Sequence, residues 1–322
     1  MIIVGCDDRY ALPLSVTLSS GLRHIDRHGS VHVVLVDGGL TPDSRRRLER
    51  VIGEARPGTS LDWHTADQGR FSGLKVSKWG STANYLRLLI PEIVADDVER
   101  VLYLDSDLVI RDDVSLVVAE TGTVDAPVLA VGDYHHRRCA TVYGLEGCEV
   151  IGVDPDSPYF NSGVMIIDVS AWRDQDVAGQ AVDFVREHAG VMKHSDQDAL
   201  NAVLANRWQP IDPLWNVMVP SIDRYLQEGR SDLTRDQLLG AGHVLHFTGA
   251  RKPWLPGYVG PAGFEYRRAL RESSWFEDRT EWRRWHARFW LKSPPGWVKE
   301  GYRRLRKTAS AVYRSIRRDP GS

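Results

Sequence analysis

Val101-Leu102-Tyr103-Leu104-Asp105-Ser106-Asp107-Leu108-Val109-Ile110-Arg111-Asp112-Asp113 is the stretch around which the chain is organised. The apolar run Val101 to Leu104 reads as a buried strand that stops abruptly at Asp105-Ser106-Asp107. A second apolar run, Leu108 to Ile110, follows at once. Two carboxylates in so apolar a frame are costly to bury unless their charge is compensated. Residues i and i+2 of an extended chain point to the same side, so Asp105 and Asp107 are expected to aim at one point. Oxygen ligands converging there suit a hard divalent cation, which commonly shares its coordination sphere with substrate phosphates. The alternative is a turn in which the aspartates cap backbone N–H groups. The strand in front of them favours the metal.

On the N-terminal side, Ile2 to Gly5 is a candidate strand and Cys6-Asp7-Asp8-Arg9-Tyr10 the turn after it. A helix is expected from Ala11 to Arg27, with Pro13 tolerated in its first turn. Val31 to Val36 reads as a second strand and Leu61 to His64 as a third. Between them Thr41-Pro42-Asp43 opens a helix with a capping Thr and Pro at the first helical position. Ser81 is expected to cap a helix carrying Asn84, Tyr85, Arg87 and Leu88. Strand alternating with helix predicts an α/β fold with a mostly parallel, doubly wound central sheet. Ligands of such sheets bind beyond the carboxyl ends of the strands. The Asp7-Asp8 and Asp105-Ser106-Asp107 turns both lie at such ends, as a nucleotide site requires.

On the C-terminal side, Val128 to Val131 is a further candidate strand. The stretch from Asp133 to Ser157 has no clear period, and its His135-His136-Arg137-Arg138 cluster reads as a solvated loop in preference to a lid. Tyr159-Phe160-Asn161-Ser162-Gly163 precedes an apolar strand, Val164 to Ile167. Ser170 is expected to cap a helix running to His188, and Ser195-Asp196-Gln197-Asp198 to open another that runs through Leu204. Val244 to Phe247 is a late strand bearing His246, followed by Gly249-Ala250-Arg251-Lys252-Pro253-Trp254. Taken singly, His246 is open between core histidine and ligand, Asn161 between turn former and site residue, and Asp196 between helix cap and site residue.

The 322 residues, 42% hydrophobic and 26% charged, describe an ordinary globular protein with room for one large α/β domain and an extension. Cys6, Cys139 and Cys148 form no C-x-x-C pair and cannot all be bridged, which points to a reduced, cytoplasmic setting. The first residues read as a strand, not as a signal peptide. No apolar run approaches the roughly 20 residues that span a bilayer.

In order, the motifs are Asp-Asp-x-Tyr, Asn-Tyr-x-Arg-Leu, Leu-Tyr-Leu-Asp-x-Asp, Tyr-Phe-Asn-Ser-Gly-Val, Asp-Gln-Asp-x-Leu-Asn and His-x-x-Gly-x-x-Lys-Pro-Trp. That series resembles glycosyltransferase family 8, whose members include bacterial lipopolysaccharide α-galactosyl- and α-glucosyltransferases, glycogenins and plant galacturonosyltransferases. The resemblance runs from Ile2 to Trp254. It implies a GT-A fold over residues 1–260, a UDP-sugar donor, Mn²⁺ dependence and retention of anomeric configuration. Carried over by position, it makes Asp105, Asp107 and His246 metal ligands. One nitrogen among oxygen ligands favours Mn²⁺, with Mg²⁺ as the alternative. It gives the nucleotide to Asp7, Tyr10, Ser106, Gly249 and Lys252, and surrounds the donor sugar with Arg87, Asn161, Asp196 and Gln197. Arg9 departs from the family, standing where many bacterial members have Asn.

Residues 261–322 read as a helical, basic extension. From Trp282 to Arg318 there are 12 Lys or Arg against one acid, Glu300. Val298, Tyr302, Leu305, Ala309, Val312 and Ile316 recur at helical spacing among these charges. A basic amphipathic helix over 297–318 is expected to meet an anionic membrane surface, on the inner face of the plasma membrane. The alternative is docking on the acidic body of the chain itself. Trp275, Trp282, Trp285, Trp290 and Trp297 form either an aromatic interface or the packing of neighbouring helices. No recognition module accompanies the charge, so nucleic acid is not the expected partner.

The sequence therefore reads as a retaining α-glycosyltransferase moving galactose or glucose from a UDP-sugar to an acceptor hydroxyl. The acceptor is a glycan, a lipid-linked species or a small molecule, and the expected role is cell-surface glycan or lipopolysaccharide-type synthesis. Two alternatives stand beside it. One is a nucleotide-sugar-binding protein without activity, which would have no need of Asp105, Asp107, Asp196 and His246 together. The other is a sugar nucleotidyltransferase, against which stands the lack of a Gly-rich, basic N-terminal loop to hold a triphosphate.

Overall fold

The computed structural model of the protein describes residues 1–292 except 27, 75–81, 121, 123–125, 136, 137, 140–144, 146, 147, 150, 191 and 259. The chain begins β1 (Ile2–Cys6), α1 (Ala11–His24), β2 (His32–Asp37), α2 (Pro42–Ala55) and β3 (Ser60–Thr65). A 3₁₀ segment (Thr82–Leu89) leads to α3 (Ile90–Ile93), β4 (Arg100–Leu104), β5 (Leu108–Ile110), α4 (Val114–Glu120), β6 (Val128–Gly132) and β7 (Phe160–Asp168). Then come α5 (Val169–Asp174), α6 (Val177–His188), α7 (Ser195–Val203), β8 (Trp208–Pro210) and β9 (Val217–Met218). The chain continues through α8 (Ile222–Gln227), α9 (Arg235–Ala241), β10 (Val244–His246), α10 (Gly263–Glu272) and α11 (Arg279–Lys292).

Seven strands make the main sheet in the order β3-β2-β1-β4-β7-β6-β8. Its pairings are parallel except around β7, which runs antiparallel to both β4 and β6. The central strands are apolar on both faces because helices cover both, while the edge strands β3 and β8 are partly exposed. Alternation then divides the core. Val4, Val33, Leu35, Leu102 and Leu104 pack with α1 and α2 on one side. Ile3, Val34, Val36, Val101 and Tyr103 pack with the 3₁₀ segment and α5 to α7 on the other.

Leu108 to Ile110 does not continue β4. It leaves the main sheet and pairs with β10 in a small second sheet, β5-β10-β9. The register sets His246 opposite Leu108, and Phe247 N donates to Asp107 O at 3.1 Å. That pairing carries a histidine from the far end of the chain to the Asp105–Asp107 turn.

Several local expectations change. The first helix ends at His24, not Arg27. Thr41 does cap α2, accepting from Ser44 N at 3.2 Å. The helix expected after Ser81 is the tighter 3₁₀ form, and Ser81 itself lies outside the described residues. The single helix expected from Ser170 is two. Asp168, not Ser170, caps α5, and a break at Asp176 (φ 45°) separates α5 from α6. Asn161 to Gly163 lie inside β7 and not in a turn, so that strand is longer than its apolar run.

The C-terminal helices share the main core. Tyr266 and Leu270 of α10 are fully buried beside α1, and Trp275, Trp282 and Trp285 pack against the same cluster. Trp282 and Trp285 stack at 5.4 Å, so packing is the observed role of these rings. The basic face of α2 holds the connection to α11. Arg47 Nη1 donates to Trp275 O at 3.1 Å and to Glu281 Oε1 at 2.9 Å, while Arg50 Nη2 donates to Trp275 O at 2.9 Å. Residues 297–318, with Trp297, lie outside the described residues, as does the side chain of Trp290. Among the described residues no helix is long and apolar enough to cross a membrane.

Candidate active site

β1, β4 and β6 run in one direction, so their carboxyl ends share a rim. Each strand is followed at once by an aspartate: Asp7, Asp105 and Asp133. The rim opens into a cleft of about 890 Å³. All twelve residues singled out in the sequence line it: Asp7, Tyr10, Arg87, Asp105, Ser106, Asp107, Asn161, Asp196, Gln197, His246, Gly249 and Lys252. Asp8, which follows Asp7, does not. Its carboxylate accepts from Thr41 N and Oγ1 at 2.9 Å each, tying the first turn to α2.

Asp105 and Asp107 converge through a turn, not through an extended segment. Their carboxylates and the His246 imidazole present ligand atoms that all lie within 4.8 Å of one another. His246 Nε2 stands 3.2 Å from Asp107 Oδ1 and 3.8 Å from Asp105 Oδ2. The floor of the cluster is Gly163. A Cβ there would lie 2.3 Å from His246 Cε1 and 2.9 Å from Asp105 Oδ2, so a larger residue would fill the cradle. Two carboxylates and one imidazole around a space kept free by a glycine fit a divalent cation such as Mn²⁺ or Mg²⁺.

Lys252 lies on the outer side of this cluster. Its Nζ pairs with Asp107 Oδ2 and donates to Phe247 O at 2.8 Å. Burial opposes ionisation of Asp107, but Lys252 and His246 override it and hold the carboxyl well below the usual range. Gly249, between β10 and Lys252, sits at φ +73°, a conformation that glycine adopts without strain. The open space around it shows that the dihedral, not crowding within the chain, demands glycine there.

Arg87 occupies the opposite wall. Its guanidinium donates to Asp105 Oδ1 at 2.9 Å and to Ser162 O at 2.6 Å, and lies 4.5 Å from the centre of the Tyr103 ring. Its Nε lies 2.9 Å from Asp196 Oδ2. The single Nε hydrogen is directed at Asn84 O, 3.2 Å away, so that contact is an ion pair without a hydrogen bond. Among the described residues, Asp196 Oδ2 is accordingly buried with no hydrogen-bond partner. Desolvation outweighs the attraction of Arg87, Asp105 adds repulsion, and the Asp196 carboxyl is pushed up to about 7. Arg87 is itself shifted further towards the charged form by Asp105 and Asp196, against its burial.

Gln197 and Asn161 meet beside this pair. Gln197 Oε1 accepts from Ser162 N and Asn161 Nδ2, both at 3.1 Å. Asp198 is different in kind. It accepts from Tyr159 OH at 2.6 Å and from the N–H groups of Lys193 and His194 at 2.6 and 2.7 Å, so from within α7 it anchors the loop before the helix. At the β1 end of the cleft, the Asp7 carboxylate is engaged by Arg9 through backbone N (3.1 Å), Nε (3.1 Å) and Nη2 (2.9 Å). Arg9, the departure from the family pattern, therefore occupies the carboxylate that the resemblance gives to the nucleotide. Tyr10 packs edge-on to Trp254 at 5.7 Å, and Ser106 Oγ donates to Gly5 O at 3.2 Å.

Asp133 and His135 line the cleft and Asn216 lies behind it, and the sequence assigns none of the three to the site. Asp133 is 4% exposed and accepts from Asn161 Nδ2 at 3.1 Å. The signal was present, an aspartate directly after an apolar strand, as at Asp7 and Asp105. His135 lines the cleft although its cluster was read as a solvated loop; His136 and Arg137 lie outside the described residues. Asn216, fully buried, lies behind His246, and no local pattern announces it.

Residues 1–256 match the model of Glycosyl transferase family 8. General stress protein A of Bacillus subtilis is 30% identical over 285 residues, 85% of this chain and 94% of that protein. Lipopolysaccharide 1,2-glucosyltransferase of Escherichia coli is 29% identical over 202 residues, 62% of this chain and 56% of that protein. A crystal structure of the galactosyltransferase LgtC, in complex with donor and acceptor sugar analogues, covers 84% of this chain and 94% of its own. It does so with a TM-score of 0.68 at 24% identity. That likeness shows the fold, the GT-A arrangement of a mostly parallel sheet between helices. A sequence match over four-fifths of the chain, together with that fold, places this protein in glycosyltransferase family 8, as a glycosyltransferase.

Proposed function

We propose that this glycosyltransferase is a retaining α-hexosyltransferase that moves galactose or glucose from a UDP-sugar to an acceptor hydroxyl, with Mn²⁺ bound. The observation that carries the reading is the Asp105–Asp107–His246 cluster, set in the wall of the cleft that also holds the Asp196–Arg87 pair. The names of two similar proteins, a lipopolysaccharide glucosyltransferase and a galactosyltransferase, support the hexose and a role in cell-surface glycan synthesis.

Asp105, Asp107 and His246 would hold the ion, which when bound supplies positive charge to the departing diphosphate. Every other part falls to the chain itself. Lys252 adds a fixed cation at the same end of the cleft, and preorganised charge of this kind is usually the largest catalytic contribution. Tyr10, Asp7 and Ser106 hold the nucleotide at the β1 end, and Gly249 admits the diphosphate beside the backbone. Asn161 and Gln197, already fixed to each other, present amide groups to sugar hydroxyls.

Breaking the anomeric C–O bond sends its electron pair to the diphosphate and leaves positive charge on the sugar. Asp105 and Asp196 face that charge, and Arg87 keeps the two carboxylates apart. Retention follows from attack by the acceptor on the face that UDP leaves, with the acceptor proton passing to the diphosphate oxygen. The covalent alternative needs a carboxylate nucleophile. Asp196 is a poor one, because burial shifts it towards the neutral acid and Arg87 covers one of its oxygens.

The basic stripe within 297–318 supports attachment to an anionic membrane surface on the cytoplasmic side, where a lipid-linked glycan would be met. The test of the reaction is a ¹H NMR time course of donor hydrolysis by the metal-loaded enzyme. Early appearance of the free α-hexose is expected. Early β-hexose would refute retention, and a glycosyl–Asp196 adduct in the mass spectrum would refute same-face attack.

A further inference from the structure

Four buried polar groups run in line behind the metal cluster: Asp133, Asn161, Asn216 and His246. Asn161 Nδ2 lies 3.1 Å from Asp133 Oδ2, Asn216 Nδ2 lies 2.9 Å from Asn161 Oδ1, and His246 Nδ1 lies 2.9 Å from Asn216 Oδ1. The direction of this chain is forced from one end. Asp133 already accepts from His135 N at 2.7 Å, so its carboxylate takes hydrogens from its neighbours. A backbone N–H can only donate, and Gly163 N donates to Asn161 Oδ1 at 3.1 Å. Ser162 N fixes Gln197 in the same way, so Gln197 Oε1 also receives from Asn161 Nδ2. Asn161 is therefore oriented by two independent backbone donors. Its Oδ1 turns to Asn216, which must answer with its NH₂ group and leave its own oxygen facing His246.

We infer that Asn216 is a positioning residue that fixes the tautomer of His246, with hydrogen on Nδ1 and the lone pair of Nε2 reserved for the metal. This rests on reading Asp105, Asp107 and His246 as a metal site. Asn216 is suited to the task because it is held on both sides. It closes the 3₁₀ turn Pro213–Asn216 immediately before β9, and β9 pairs in parallel with the strand that carries the histidine, Met218 beside His246. Nδ1 is thus committed to an acceptor that is fully buried and cannot exchange for water. Nε2 is the one ring nitrogen that faces Asp105 and Asp107. Outer partners of metal-bound histidines commonly control affinity in this manner. The chain also couples the two walls of the cleft, since Asp133 and Gln197, on the sugar side, set the orientation that His246 finally feels.

The test compares Mn²⁺ binding by electron paramagnetic resonance, with UDP present, in wild type, Asn216→Leu and Asn216→Asp. Leucine removes the acceptor at similar volume, and affinity is expected to fall about 10- to 100-fold. Aspartate keeps an acceptor for Nδ1–H but loses the donor to Asn161 Oδ1, so an affinity between those of wild type and the leucine variant is expected. A leucine variant that binds Mn²⁺ like wild type would overturn the inference, as would an aspartate variant that loses as much as leucine. Should wild type bind no Mn²⁺, the metal reading itself fails, a different result from either. The second readout is ¹⁵N NMR of histidine-labelled protein, assigned through His246→Ala. Nδ1 should carry hydrogen in wild type and lose that preference in Asn216→Leu; an unprotonated Nδ1 in wild type would refute the assignment whatever the affinities.

Discussion

Asp196→Asn should make the protein more stable above pH 7 while abolishing its turnover. The Asp196 carboxyl is buried, has one oxygen without a hydrogen bond, and titrates at about 7 in the fold. In the unfolded chain it titrates near its ordinary value of about 3.9. The folded protein therefore binds more protons than the unfolded chain between those two values, and stability falls as pH rises through that window. Three pH units at 1.36 kcal/mol each make the ionised group cost the fold about 4 kcal/mol above pH 7. Asparagine has the same shape and no charge, so at pH 8 the variant should be more stable by about 2–4 kcal/mol, and by about 1 kcal/mol at pH 4.5. Guanidinium unfolding of both proteins from pH 4.5 to 8.5, without metal or nucleotide, gives the difference directly. It should widen up to pH 7 and then level off. A variant less stable than wild type at pH 8 would mean that the ion pair with Arg87 outweighs desolvation, contrary to the reasoning. The gain in stability with loss of turnover is the trade expected where a site holds an unfavourable group for its chemistry.

Gly163→Ala should drive His246 and Asp105 apart, costing about 1–3 kcal/mol of stability and lowering Mn²⁺ affinity more than tenfold; calorimetry with Mn²⁺ and UDP checks it, and unchanged affinity would contradict the cradle. Lys252→Met removes the cation beside Asp107. It should weaken UDP binding at least tenfold at saturating Mn²⁺, read by titration, and equal affinity would remove Lys252 from the diphosphate site. Deleting the residues after Pro295 should abolish cosedimentation with phosphatidylserine vesicles while leaving donor hydrolysis intact; retained vesicle binding would assign the membrane contact elsewhere.

The sheet was legible where strands are buried on both faces, because Ile2 to Gly5 and Val101 to Leu104 are unbroken apolar runs and need no partner to be recognised. Direction was not. β7 is as apolar as β4, and nothing local says that it runs antiparallel. Leu108 to Ile110 looks like more of the same strand, yet a turn at Ser106-Asp107 sends it to another sheet. The same turn brings the two aspartates together by a different geometry from the one that alternation implies. Site residues followed the strand ends, which is why Asp7 and Asp105 could be read. Asp133 obeys the same rule, but the loop after it has no clear period and carries a basic cluster, so no neighbouring pattern supports it as a site residue. Asn216 could not have been found. Its partners lie 30 and 55 residues away, and its function is the direction of its hydrogen bonds.

The proposed transfer from a UDP-sugar depends on a metal held by the Asp105–Asp107–His246 cluster. Release of UDP from a panel of UDP-sugars, with and without Mn²⁺, in wild type and Asp107→Asn, tests it most directly. Slow release from UDP-galactose or UDP-glucose that needs Mn²⁺ and is lost in the variant is expected. Release that persists without metal, or at the wild-type rate in Asp107→Asn, would contradict it.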